Sequence, residues 1–483
     1  MRNKKNISFE SVKKLEYIIN SIFSGNHAKS LFDYYSVRFK IPSQVVNHYL
    51  KQRLSWNYRT KDTKFSYWIR LPFIFFSILQ YIIFISTLAI FSKKIKKNPS
   101  TKKFDLLVDD IQHMNEIDRW NYLQEKFGRD KTIFIARSKE VKNDKDRNIF
   151  HLIPTKGYDR DYLHKNVITL LFRDLFYLTR KSFQLKINLV HLHSFFVNDF
   201  IYYSTLFQMN KAKYMIQDRN LGRTNALKNY LFKKFGGIAS SCIQKNIVQH
   251  NEYALFYDTD IFFTYGNRTA DDILDLGARI EKIIPVGSFA MESSHKNRAR
   301  YSNQSEAQED VIDVLYIGIN AVTSKKTNWD GYYESIKWLA NLYKNEKTLN
   351  IAIKHHPSWV SDARELSITK NTHIKYIKET DDSYQVASQA RVIITYGSSM
   401  GYELLGQGKN VFFIDPDEKN PFINKFVYRD KKVINNYEQF EFLIRSKDKL
   451  HNNTKRDDYC NSEEHTSSRI HESLVSYSHK RTA

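Results

Sequence analysis

The chain has 483 residues, 42% hydrophobic and 14% aromatic, so it can bury large cores, and a mainly disordered chain is excluded. Its 15 Gly and 8 Pro rule out collagen-like and low-complexity classes, and two cysteines, Cys242 and Cys460, cannot form a disulfide framework. The net charge of +23, from 75 Lys and Arg against 52 Asp and Glu, would suit nucleic acid, but residues 1–100 hold 18 basic against 4 acidic residues, a surplus of 14 (18 − 4). Most of the excess is therefore N-terminal and not a stripe across folded domains, so no nucleic-acid partner is expected.

The N-terminus, MRNKKNISFE, has no apolar core, so no secretory signal is expected. Residues 1–66 read as a basic helical region, with Val12, Leu15, Ile19 and Phe23 on one helical face. Leu71 to Phe91 is one apolar run, and residues 67–97 are expected to form a membrane-associated segment. As a helix the run is roughly 31 Å long, near the thickness of a bilayer core. Lys61, Lys64 and Arg70 precede it, and Lys93, Lys94, Lys96 and Lys97 follow it. It can span the bilayer once, lie on an anionic membrane face, or be a buried helix of a large domain.

From residue 104 the pattern is α/β. Strands are expected at 104–110, 131–137, 187–194, 213–218, 260–266 and 282–288, with helices at 114–127 and 167–179. The apolar runs lack alternation, as in parallel strands covered on both faces. A second series follows, with strands at 311–318, 349–354, 373–377, 391–397 and 410–415 and helices at 332–343 and 437–444. This predicts an α/β chain of two Rossmann-like domains facing a cleft. The first, at 98–292, is expected to bind the acceptor and the second, at 310–450, the donor. A linker at 293–309 would join them, and 451–483 would form a polar tail with one short helix at 467–475.

Two stretches in the second half carry chemistry. In RVIITYGSSMGYELLGQGKNVFFID (391–415) a strand ends at Tyr396, Gly397 turns the chain, and Ser398 and Ser399 open a helix. Unpaired amides at a helix start and two hydroxyls suit a phosphate. Glu403, one turn on, can accept hydrogen bonds from ribose hydroxyls. Lys354-His355-His356-Pro357 follows another strand, and the proline holds His356 extended. An imidazole there can contact a nucleotide phosphate or neutralise a leaving oxygen. Taken alone, each stretch also fits a plain N-cap or a surface loop. In the first half Asp109, Asp110, His193 and Asp218 are expected at strand ends on the cleft, with Gly266 and Asn267. Asp218 is the first choice for the catalytic carboxylate, against a plain cap or a pair with Arg223.

The histidine and serine stretches together resemble the His-Pro and Ser motifs of bacterial GT-B transferases of surface carbohydrates. These include capsule sialyl- and Kdo-transferases and polyol-phosphate transferases of the teichoic-acid type. GSSMGYELLGQGKNVFF and, more loosely, 217–288 are similar to O-antigen and surface-carbohydrate biosynthesis proteins. The resemblance covers about residues 104–445. It implies a GT-B fold, with His356, Ser398 and Ser399 on the nucleotide phosphate, Glu403 on ribose, and Gly318 as the strand-end glycine of the nucleotide domain. His355 is an extra histidine that could take the place of His356.

The resulting expectation is a glycosyltransferase at the cytoplasmic face of the inner membrane, peripheral or single-span. It would move a sugar from a nucleotide donor, a CMP-sugar favoured, to a lipid-linked O-antigen or capsule acceptor. The alternatives are a CDP-polyol phosphotransferase of the teichoic-acid type and a non-catalytic envelope-assembly scaffold. The expected partners are a nucleotide-sugar, a lipid-linked glycan and the membrane surface. No cofactor and no metal are expected, because no spaced Asp-x-Asp follows a strand.

Overall fold

The computed structural model describes residues 9–59, 71–91, 103–151 apart from 143 and 145, 169–217, 226–245, 254–301, 311–319, 328–356, 362–446 apart from 379, 419 and 421, 455–461 and 465–482. The first sheet has seven strands: β1 (Phe104–Ile111), β2 (Thr132–Ala136), β3 (Asn148–His151), β4 (Ala212–Gln217), β5 (Ala239–Ile243), β6 (Asp258–Thr264) and β7 (Arg279–Pro285). Their order is β3-β2-β1-β4-β5-β6-β7, and every neighbouring pair is parallel. The second sheet has six: β8 (Ile312–Ile317), β9 (Ile351–Lys354), β10 (Lys375–Ile377), β11 (Ala390–Thr395), β12 (Val411–Ile414) and β13 (Val433–Ile434). Their order is β10-β9-β8-β11-β12-β13, again all parallel. Each half is thus doubly wound, with its switch point between the first and fourth strands. The α/β class and the two Rossmann-like halves agree with the sequence.

Successive strand residues point to opposite faces, so the apolar runs feed two cores per sheet. In the first half Leu107, Ile133, Ile135 and Met215 join one core, while Leu106, Val108, Phe134 and Ile216 join the other. The first core also takes in α1 (Phe9–Ile22), α2 (Asn26–Phe39) and α3 (Ser43–Arg59), through Val12, Leu15, Ile19, Phe23, Tyr35 and Tyr49. Arg38 pairs with Asp174 at 3.2 Å, and Tyr49 donates to Asp199 at 2.9 Å. The N-terminal helices are therefore one outer layer of the first domain and not a separate region.

Four other expectations are corrected. Residues 187–194 are not a strand: Asn188 accepts from the His191 amide at 3.1 Å and caps a helix, Leu189–Met209, whose apolar residues continue at helical spacing. The 114–127 helix is two, Met114–Asp118 and Asn121–Phe127, broken at buried Trp120. The start of the 293–309 linker belongs to a helix, Phe289–Tyr301. The polar tail is not loose: Thr466–Thr482 is a helix that returns to the first domain, where Ile470, Leu474 and Tyr477 complete its second core.

The apolar run 71–91 forms α4 (Leu71–Phe91). Its Ile74, Ser77, Tyr81 and Ile85 face is buried against the helix Leu189–Met209, and Asn188 donates to Ser77 at 2.7 Å. Among the described residues no helix is long and apolar enough to cross a membrane.

Candidate functional site

The second sheet positions the expected donor residues. Register pairs Ile317 with Lys354 on one side and with Thr395 on the other. The next positions, Gly318, His355 and Tyr396, therefore leave the carboxyl edge together, followed by His356 and Gly397. The strands carrying His356 and Gly397 flank β8 and so lie roughly 10 Å apart. Gly318 and Gly397 sit on either side of the switch point between β8 and β11.

The two histidines differ. His355 is buried, and its Nε2 meets Glu365 Oε1 at 2.7 Å. The same carboxylate accepts from Tyr332 at 2.8 Å and from Tyr376 at 3.1 Å. A carboxylate acceptor requires the proton on Nε2, so His355 is fixed in one tautomer inside the domain. Gly318 lies directly against it: a Cβ at 318 would stand 2.2 Å from His355 Nδ1. The Gly318 amide donates to Lys354 O at 3.0 Å. His356 is exposed at the edge. Partial burial, then the Lys354 ammonium, lower its pKa, so at neutral pH it is an uncharged imidazole.

The serine turn is only partly as expected. Gly397 has φ +156°, and a Cβ there would come 2.7 Å from Phe422 Cβ. The amides of Gly397 and Ser398 donate to Thr395 Oγ1 at 3.2 and 3.0 Å, and that hydroxyl donates to Ile317 O at 2.8 Å. Those two amides are turned into the protein and do not form a phosphate seat. Ser398 Oγ accepts from the Met400 amide at 3.4 Å. The helix that follows, Met400–Gly406, has only seven residues. The side chains at this edge that could meet an anion are the two serines and His356.

Ser399 also lies beside Tyr265 of the other domain, beyond β6. Glu403 lies behind it, buried, accepting from Tyr384 at 2.5 Å. Burial raises its pKa. Contact with ribose would require Tyr384 to swing aside. Contacts between the two halves include the bonds from Asn424 to Asp272 (2.6 Å) and Gln407 to His295 (2.9 Å).

On the first domain, Asp109 and Asp110 do end β1 at its switch point. Both are spoken for. Arg137 Nη2 lies 2.8 Å from each Asp109 oxygen, and Lys228 also pairs with that carboxylate. Burial would raise the Asp109 pKa, but the two cations override it and hold it well below the usual carboxylate range. Asp110 has a left-handed backbone, φ +73°, and lies 3.5 Å from Arg137 Nε. This buried Arg137–Lys228 cluster was not foreseen; an Arg one position past β2 was its only signal. His193 is not at a strand end: it sits in the helix core with Tyr35 at 2.9 Å from Nδ1, and burial followed by Arg38 lowers its pKa to about 3. The Asn267 amide donates to Asp457 O at 2.8 Å, so the C-terminal segment covers the expected cleft position at Gly266 and Asn267. Asp218 and Pro357 lie outside the described residues. Among the described residues, no group of three or more His, Cys, Asp or Glu is gathered for a metal ion.

No family model matches the sequence, and no curated protein matches it. Solved structures of similar fold include UDP-GlcNAc 2-epimerase from Neisseria meningitidis bound to UDP-GlcNAc (12% identity, 78% of this chain and 100% of that one, TM-score 0.46). They also include the wall teichoic acid polymerase TagF soaked with CDPG (10%, 86% and 99%, TM-score 0.45) and the MnaA–UDP structure from S. aureus (12%, 78% and 97%, TM-score 0.44).

Proposed function

We propose that the chain is a GT-B glycosyltransferase that binds a nucleotide-sugar at the carboxyl edge of the second sheet. The observation that supports this reading is that His356 and Ser398 and Ser399 follow the carboxyl ends of the two strands flanking β8, at the switch point of the second sheet. Doubly wound sheets bind ligands there. A neutral imidazole and two hydroxyls suit the diphosphate or monophosphate of a donor. An approaching phosphate would raise the His356 pKa, so that it can donate its proton to the departing oxygen.

In the proposed step the bond from the anomeric carbon of the sugar to the phosphate oxygen breaks, and its electron pair leaves with the phosphate. The acceptor hydroxyl forms the new bond to the anomeric carbon, and Asp218, the carboxylate expected from the sequence, takes its proton. No metal is invoked, and EDTA is expected to leave turnover unchanged. The acceptor proposed is a lipid-linked O-antigen or capsule glycan, on the cytoplasmic face of the inner membrane, with a CMP-sugar as the favoured donor.

The test is a thermal shift of the full chain with CMP, CDP, UDP and GDP, repeated on His356→Ala. Stabilisation by one nucleotide, lost in the variant, supports the site; stabilisation by none overturns it. A CDP-polyol phosphotransferase would use the same histidine, and release of CMP from a CDP-polyol would favour that reading. The burial of Glu403 favours a third, a non-catalytic scaffold, which requires that His356→Ala leave surface glycan production intact.

A further inference from the structure

The helix α4 is apolar all round, yet only one face is covered. On the other face Phe75, Phe76, Leu79, Ile82, Ile83 and Ile90 are 38–73% exposed. A helix of this kind is normally buried completely or meets lipid. Beside it lies the π-helical turn Thr169–Asp174, which touches α4 and runs into the helix Leu175–Leu185. That segment adds Phe172 (71% exposed), Phe176 (77%) and Phe183 (46%), at the spacing of one helical face. At roughly 200 Å² per aromatic side chain, Phe75, Phe76, Phe172 and Phe176 alone leave on the order of 500 Å² bare, the upper end for a soluble monomer.

Charge identifies what covers this face. Every exposed charged residue of 169–187 is basic: Arg173, Arg180 and Lys186. The single acidic residue there, Asp174, is buried against Arg38. The sequence entering and leaving α4 carries Lys61, Lys64 and Arg70, then Lys93, Lys94, Lys96 and Lys97, with Asp62 the one acid. An apolar face rimmed by cations matches an anionic bilayer surface, with its apolar interior and negative headgroups.

We propose that α4 and the Thr169–Leu185 segment form one docking face that lies flat in the surface of an anionic phospholipid bilayer. The buried stripe of α4 excludes a crossing helix, because Ile74, Ser77, Tyr81 and Ile85 stay on the protein. This deepens the membrane placement proposed above and rests on that reading, but it makes no use of the donor site.

The test is co-sedimentation of the full chain with vesicles of phosphatidylcholine alone and of phosphatidylcholine with phosphatidylglycerol. The bound fraction rises with phosphatidylglycerol and falls at high salt. The double variant Phe172→Ser, Phe176→Ser lowers it by roughly tenfold, and Arg180→Glu lowers it by a few-fold, each with an unchanged melting temperature. Phe75→Ser with Phe76→Ser does the same from the other helix and serves if the first pair folds poorly. Equal binding by wild type and variants, or no preference for phosphatidylglycerol, overturns the proposal. So does a dimer in buffer that the variants convert to monomer while no form binds vesicles, which assigns the face to a second copy of the chain. CMP and CDP thermal shifts on the same preparations separate failure of this face from failure of the donor site.

Discussion

His355 Nε2 and Glu365 Oε1 lie 2.7 Å apart, and this one bond divides two adjacent histidines into different roles. It ties His355 into a buried network with Tyr332 and Tyr376, and leaves His356 as the imidazole at the cleft edge.

The roles separate on substitution. His355→Ala takes the imidazole from the buried Glu365, leaving it only Tyr332 and Tyr376, and is expected to cost about 2–3 kcal/mol of stability. His356→Ala is expected to move stability by less than about 0.5 kcal/mol, but to lower transfer by roughly 100-fold or more. Urea unfolding and a nucleotide-release assay on both variants check this; equal loss of stability in the two would refute the division.

Gly318→Ala places a methyl where His355 Nδ1 stands, at 2.2 Å, so the ring must leave Glu365. The expected loss is roughly 2–3 kcal/mol. The double variant Gly318→Ala, His355→Ala should recover part of that loss. A double variant as unstable as the sum of the two single changes would show that the clash is relieved elsewhere.

The sequence made the two sheets legible because strands covered on both faces need unbroken apolar runs, and residues such as those of β4 and β11 supply them. The serine turn and the strand-end glycine were legible for the same reason. What local pattern could not show was who holds what. His193 looked like the end of a strand because LVHL is apolar, and only the cap at Asn188 and the continuing helical period set it in a helix. β3, four half-buried edge residues, carries too little pattern to be seen. The choice between His355 and His356 depends on Glu365, which reaches back from the next helix. The use of Thr395 Oγ1 by the turn amides depends on the neighbouring strand.

Acid is expected to destabilise the fold partly through His193. Burial lowers its pKa to about 3, whereas an unfolded histidine titrates near 6.5. Between these values the unfolded chain holds the extra proton, so stability falls as pH drops below about 6.5. From pH 7.5 to 5.0 the loss from this residue is about 2 kcal/mol. Urea midpoints at the two pH values should differ less in His193→Asn; an identical difference would discount this residue.

Glu403 has the opposite sign. Its folded pKa is raised, so its charge is a cost that appears as pH rises through the unfolded value towards the folded one. Glu403→Gln keeps a partner for Tyr384 without the charge. Its melting temperature should match the wild type at pH 4 and exceed it at pH 8. A lower value at both would mean that the carboxylate charge itself holds the domains together.

The returning helix Thr466–Thr482 has a mechanical result. The backbone passes between the halves twice, once after Tyr301 and again before Thr466. Two tethers permit rotation about the line joining them but resist twisting across it, as two pins do on a door. Any opening that admits a donor should therefore follow a single swing, and severing the chain in one crossing would release the second degree of freedom.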